Sequence, residues 1–205
     1  MSPRTRRRFL HGCGAALLIG LAGCTGSDSS TRGSPTAHGP RREDLVTDYD
    51  YLELRHESPE AIFGDADRED ESALPSFLLG SEDELRDVEF TAIPDGIEDA
   101  RRFIDSTNFD EQALVIIQHR TDACHGVDLL YVASPPDHSV DVDFCRTLRD
   151  ADVECSTDER HVLASLIRLP YALSDRSEHG WSHGGGTSCR LPPSLRTETM
   201  DEEDA

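Results

Sequence analysis

The chain contains no lysine: all 20 of its basic residues are arginine, set against 41 acidic ones. No acidic residue precedes position 25, whereas four of the arginines (Arg4, Arg6, Arg7 and Arg8) do. Beyond that point sixteen arginines face all 41 carboxylates, a formal charge of −25. Charge of that density repels itself and only counterions shorten the repulsion, so the composition favours compaction in molar salt and opposes it in dilute buffer. It also leaves no basic footprint for a phosphate backbone, and nucleic acid is not expected as a partner. There is no internal repeat and no C-x-x-C pair, and 205 residues leave room for one domain with a modest core.

The N-terminal segment is built differently from the rest. Thr5-Arg6-Arg7-Arg8-Phe9-Leu10 sets paired arginines before Phe-Leu, and residues 12–21 are small or apolar without a charge. A charged stretch followed by so short an apolar one is a processed export signal by pattern, too short for a permanent membrane span. The run resembles the twin-arginine signal, and Leu21-Ala22-Gly23-Cys24 resembles the lipobox at which lipoproteins are cut and joined to lipid through the cysteine. His11 departs from the signal pattern, standing where a lysine is common. These motifs imply a signal peptide over 1–23, lipidation at Cys24, and a protein held on the extracytoplasmic face of the cell membrane by its lipid. The acidic, lysine-free composition resembles that of haloarchaeal proteins.

Residues 24–44 follow the cut as a Ser-, Thr-, Gly- and Pro-rich stretch with almost nothing to bury, which reads as a flexible tether. The domain proper is expected over 45–190. Strand composition recurs at 49–55, 88–92, 113–117, 127–133, 140–148 and 161–169, and residues 57–72 read as an acidic loop. Asp95 and Glu98 stand in capping-box spacing, and Ile97, Ala100, Phe103 and Ile104 recur at helical period through Ser106. The expected fold is α+β, mainly antiparallel sheet of about six strands in a meander, with one amphipathic helix packed on it. Residues 191–205 read as a disordered acidic tail.

With Cys13 removed and Cys24 lipidated, Cys124, Cys145, Cys155 and Cys189 remain, an even set that outside the cell implies two disulfides. Alternation puts Cys145 on the same strand face as Asp141 and Asp143, so its partner should come from a loop or tail crossing that face. Cys155 is near in sequence, which favours Cys145–Cys155 and Cys124–Cys189 among the three pairings. The competing chemistry is a copper or zinc site, for which His179, His183 and Cys189 are the candidate ligands. Gly180 and the run Gly184-Gly185-Gly186 disfavour the helix that would bring the two histidines together.

Gly180-Trp181-Ser182-His183-Gly184 matches G-x-S-x-G, the nucleophile elbow of esterases, but His183 is the only histidine after Ser182 and the remaining chain is too short for the rest of that fold. Asp141, Asp143 and nearby Asp137 fit a salt-adapted strand face better than a calcium site. The run from the helix over 95–106 through Thr107-Asn108-Phe109-Asp110 to a buried strand ending at Gln118 resembles haloarchaeal lipoproteins of unknown function. The expectation is therefore a lipid-anchored binding or envelope module without catalytic residues or cofactor. A copper- or zinc-binding lipoprotein is the alternative, with a serine hydrolase behind it.

Overall fold

The two most apolar stretches of the chain lie side by side at its centre. In the computed structural model, β6 (Ala113–Asp122) and β9 (Arg160–Leu169) pair antiparallel over ten residues, from Ala113 opposite Leu169 to Asp122 opposite Arg160. Residues 113–118 and 161–167 are buried at almost every position. That pattern belongs to strands covered on both faces, where apolar residues run on without alternating. The structure describes residues 40–65, 74–135, 140–173, 181–186 (by backbone) and 189–196. The expected signal, Cys24 and most of the tether lie outside these residues.

The central sheet takes the order β2-β9-β6-β4, with β2 (Asp50–His56) and β4 (Phe77–Leu79) at its edges. One face is covered by a second sheet of order β1-β7-β8-β10, made of β1 (Leu45–Val46), β7 (His125–Ala133), β8 (Val140–Leu148) and β10 (Trp181–Gly186). Val115, Ile117, Val132, Val142, Phe144 and Ile167 fill the space between the sheets. The other face carries α2 (Ile97–Asp105), the short α1 (Glu82–Leu85) and a two-stranded piece, β3 (Phe63–Asp65) with β5 (Val88–Phe90). There Leu54, Phe63, Ala100, Ile104, Leu114 and Leu166 form a separate core.

The sheet-dominated α+β class is as expected, and the detail differs. Ten strands and two α-helices occur among the described residues, against about six and one expected. The additional strands β1, β3 and β4 hold two or three residues each, too few to carry a period, and β10 is half glycine. Nor is the arrangement a single meander. β7 and β8 form the expected hairpin, bulged between Leu129 and Tyr131, but in a different sheet from β6 and β9, and β10 joins β8 in parallel. Two central strands apolar on both faces need a layer on each side, which one meander with a helix on one face does not provide.

The helix starts one residue later than its apparent capping box. Gly96 is the N-cap, with φ +80°, and no side chain caps the first turn. That left-handed conformation is one glycine adopts without steric cost. The packed chain also runs past the boundaries expected at 45 and 190. Arg42 Nη2 donates to the Leu195 carbonyl (3.2 Å), and Leu195, in the 3-10 turn Pro193–Leu195, is buried.

One polar side chain organises the approach to two edge strands. Gln118, buried in β6, accepts from the Ile62 and Phe63 amides (2.8 and 3.0 Å) and donates to the Phe63 and Pro75 carbonyls (both 2.9 Å). Irregular backbone cannot be buried without such partners. Ile62 and Phe63, within the stretch expected as a polar loop, are thereby held in the core.

Candidate binding cleft

The alternation of β2 sets up the site. Leu52 and Leu54 point into the core beneath α2, so Tyr51, Glu53 and Arg55 line the opposite face, toward the second sheet. An inward strand face would ordinarily be apolar. Here it borders an open flank, because β1 pairs only with Val132 and Ala133 and leaves the first half of β7 uncovered by it. The result is a cleft of about 400 Å³ lined by Tyr49, Tyr51, Glu53, Val127, Asp128 and Leu129.

Its groups are coupled. The Tyr51 hydroxyl lies 3.1 Å from Oγ of the buried Ser165 and donates to Glu53 Oε2 (3.3 Å). Burial pushes the Tyr51 phenol far above its ordinary range, so it remains a donor. Burial also raises the Glu53 carboxyl, although the side chain keeps contact with solvent and the Tyr51 hydrogen bond acts the other way. A carboxylate whose charge is disfavoured where it stands weakens the fold, and such placement is frequent at functional sites.

Toward one end the cleft meets a network of basic groups. Arg55 Nη2 donates to the His125 carbonyl (2.7 Å), and Nη1 lies 3.1 Å from His161 Nδ1. A guanidinium only donates, so Nδ1 accepts and the His161 proton sits on Nε2. Burial, then the Arg55 charge, lower the His161 pKa, and burial with the nearby Arg149 charge lowers that of Arg55. Asp122, at the end of β6, accepts from the Cys124 amide (3.1 Å), from His125 Nδ1 (2.6 Å) and from Arg146. The His125 hydrogen bond is the main reason its carboxyl stays below the ordinary value. This holds the His125 ring with Nδ1–H on the carboxylate. No family model, curated protein or solved structure matches the chain. The cleft is accordingly read from its own chemistry.

The cysteines form two disulfides, Cys124–Cys155 and Cys145–Cys189, which overturns the favoured pairing. Cys145 does lie on the outer face of β8 and takes its partner from a segment crossing that face, but the segment is the one after β10. β10 runs parallel to β8 with Gly186 opposite Cys145, which delivers Cys189 to it. Cys155 instead ties the loop after β8 to the β6–β7 turn. Cys189 is thus not a free thiolate in the oxidised protein. His179 and Asp137 lie outside the described residues, and His183 is placed by backbone only, opposite Val142. Ser182 stands inside a strand, opposite Asp141, rather than at a strand-to-helix turn. Asp141 and Asp143 are half-buried on the outer face of β8, where burial raises the Asp143 carboxyl and carries the Tyr131 phenol up to about 12.

Arg55, Asp122, His125 and His161 carry no motif and escape a sequence reading. The available signal is Tyr51-x-Glu53-x-Arg55, a polar set on the strand face that the sandwich would otherwise make apolar.

The network fixes a pH dependence. His161, below its ordinary 6.5 when folded, takes up its proton more readily in the unfolded chain, so stability declines as pH drops below 6.5. Asp122, held below 3.8, contributes stability fully above that value and loses it as pH falls through the folded pKa. The raised Glu53 and Asp143 act in the opposite sense, their unfavourable charges being relieved on acidification. Denaturant titrations should therefore show the stability of His161→Gln rising relative to wild type as pH falls from 7 to 5, because the variant lacks the imidazole that the fold keeps from taking up its proton. A difference between the two proteins that does not change with pH would contradict the assignment.

Proposed function

We propose that this chain is a lipid-anchored, extracytoplasmic binding module of a halophilic archaeon that takes a hydroxyl-rich ligand, a saccharide chain, in its lateral cleft. The observation that carries the reading is the row Tyr51, Glu53 and Arg55 facing an open flank of the sandwich. In the molar salt that the composition calls for, the Debye length falls to about 3 Å, so long-range charge attraction selects no ligand. Ring stacking and short directed hydrogen bonds persist. Two tyrosines offer apolar faces, and the Tyr51 hydroxyl and the Glu53 carboxylate offer a donor and an acceptor for ligand hydroxyls.

The address rests on Arg6-Arg7 and Leu21-Ala22-Gly23-Cys24. Two disulfides accord with an oxidising surroundings, and no helix among the described residues is long and apolar enough to cross a membrane.

Two experiments test the two halves. Cys24→Ser should move the protein from the membrane fraction to the soluble one; retention in the membrane would remove the anchor. Neutral oligosaccharides titrated in molar KCl should raise Tm saturably, and Tyr51→Ala should weaken the effect by about tenfold, the size of a lost aromatic contact. Basic peptides binding in place of every saccharide would refute the ligand class and assign the cleft to cation capture by Glu53 and Asp128.

A further inference from the structure

We infer that the polar end of the sandwich holds a chloride ion between the guanidiniums of Arg55 and Arg149, with the Thr121 hydroxyl as a further donor. Arg55, His161 and Thr121 lie on the neighbouring strands β2, β9 and β6, with His161 directly opposite Thr121. All three leave the central sheet on the face that Val115, Ile117 and Ile167 turn toward the second sheet. Arg149 closes this end from the other side. It follows β8, and its amide donates to the Cys124 carbonyl (2.9 Å) and its Nη1 to the Ala123 carbonyl (3.0 Å). The site lies beyond the residues that line the cleft and is independent of the saccharide reading.

Two observations point to an anion. The first is charge that no contact neutralises. Arg55 bonds to the His161 ring and the His125 carbonyl, and Arg149 to backbone carbonyls alone. The buried carboxylate at this end, Asp122, is engaged by Arg146 and His125. Neither Arg55 nor Arg149 belongs to an ion pair among the described residues, although the chain carries 41 carboxylates. Both are half-buried, and after burial the Arg149 charge is the main influence lowering the Arg55 pKa. Like charges held together in this way are costly unless an anion lies between them. The second is Thr121, which is 5 % exposed and whose Oγ1 has no hydrogen-bond partner among the described residues. A buried hydroxyl calls for an acceptor.

The donor set favours a single-atom ion. Arginine recognises phosphate or carboxylate through two parallel N–H groups. At Arg55 both terminal nitrogens are already engaged, one by an imidazole and one by a carbonyl, and at Arg149 one of them holds the Ala123 carbonyl. What remains are single donors on separate side chains, which a spherical anion accepts from any direction. A monovalent ion also loses less hydration on entering a half-buried site than a divalent oxyanion does. Contact hydrogen bonds persist at the Debye length of about 3 Å that molar salt imposes, and mass action in that salt keeps the site filled.

The test unfolds the full, oxidised chain in urea at one fixed potassium concentration, with glutamate replaced stepwise by chloride so that ionic strength stays constant. Glutamate is the reference anion because its carboxylate needs the paired N–H groups that are already engaged. The wild-type midpoint should rise saturably with chloride relative to that of Arg149→Gln, a comparison in which the general effect of exchanging the salts cancels. Thr121→Val should weaken chloride binding about tenfold, the size of one lost hydrogen bond to a charged group. In glutamate the same variant should be more stable than wild type, because its buried hydroxyl is gone. Bromide in place of chloride should give an anomalous diffraction peak between Arg55 and Arg149. Equal chloride responses of wild type and Arg149→Gln, an unchanged response in Thr121→Val, or no bromide peak at this position overturns the site. If Arg149→Gln does not fold, Thr121→Val and the bromide peak decide alone.

Discussion

Gln118→Met should lower the free energy of unfolding by about 4 kcal/mol, the cost of leaving several buried backbone groups without partners. Methionine keeps the length and volume of the side chain, so the core does not collapse around a void. What disappears is the amide, which accepts from Ile62 and Phe63 and donates to Phe63 and Pro75. None of these groups can turn to water, because Gln118 is buried within β6 beneath the layer that carries β3. For a domain whose total stability is of order 10 kcal/mol, such a loss moves the denaturant midpoint far while the slope stays the same. Urea unfolding in molar KCl measures both. A loss under about 1 kcal/mol would mean that the backbone on either side of positions 66–73 finds other partners, and Gln118 would then not be its anchor.

Removing the Cys124–Cys155 bond with Cys124→Ser and Cys155→Ser should cost about 3.5 to 4 kcal/mol, from the entropy released when a loop of that length is no longer closed in the unfolded chain. The bond spans 31 residues. It also holds the β6–β7 turn on which Asp122 receives the Cys124 amide and His125. The double variant should therefore move the NMR resonances of the His125 ring as well as the unfolding midpoint. Loss of Cys145–Cys189, which spans 44 residues, should cost a similar amount and leave His125 unchanged, since that bond fastens the segment after β10. Equal effects of both pairs on His125 would contradict this division of roles. The two measurements separate chain entropy from local support of the polar end.

The candidate site was far less legible than the strands. A strand two or three residues long carries no period, so β1, β3 and β4 could not be read, and with them went the open flank that makes Tyr51, Glu53 and Arg55 a cleft. The disulfide pairing failed for a related reason. Proximity in sequence favoured Cys155 for Cys145, whereas the parallel placement of β10 beside β8 decided for Cys189. A glycine-rich segment offers no pattern from which that pairing could be foreseen.

The sequence by itself determined the main strands, the amphipathic helix and the face on which Cys145 lies. Each follows from periodicity, a local property that burial on one face or two imposes on consecutive residues. It also set the acidic surface through composition alone. Tertiary structure decided which sheet each strand joins, which cysteines meet, and that Asp122, His125, Arg55 and His161 converge from four different strands. Those outcomes depend on how layers cover two apolar faces at once, and no window along the chain contains that information.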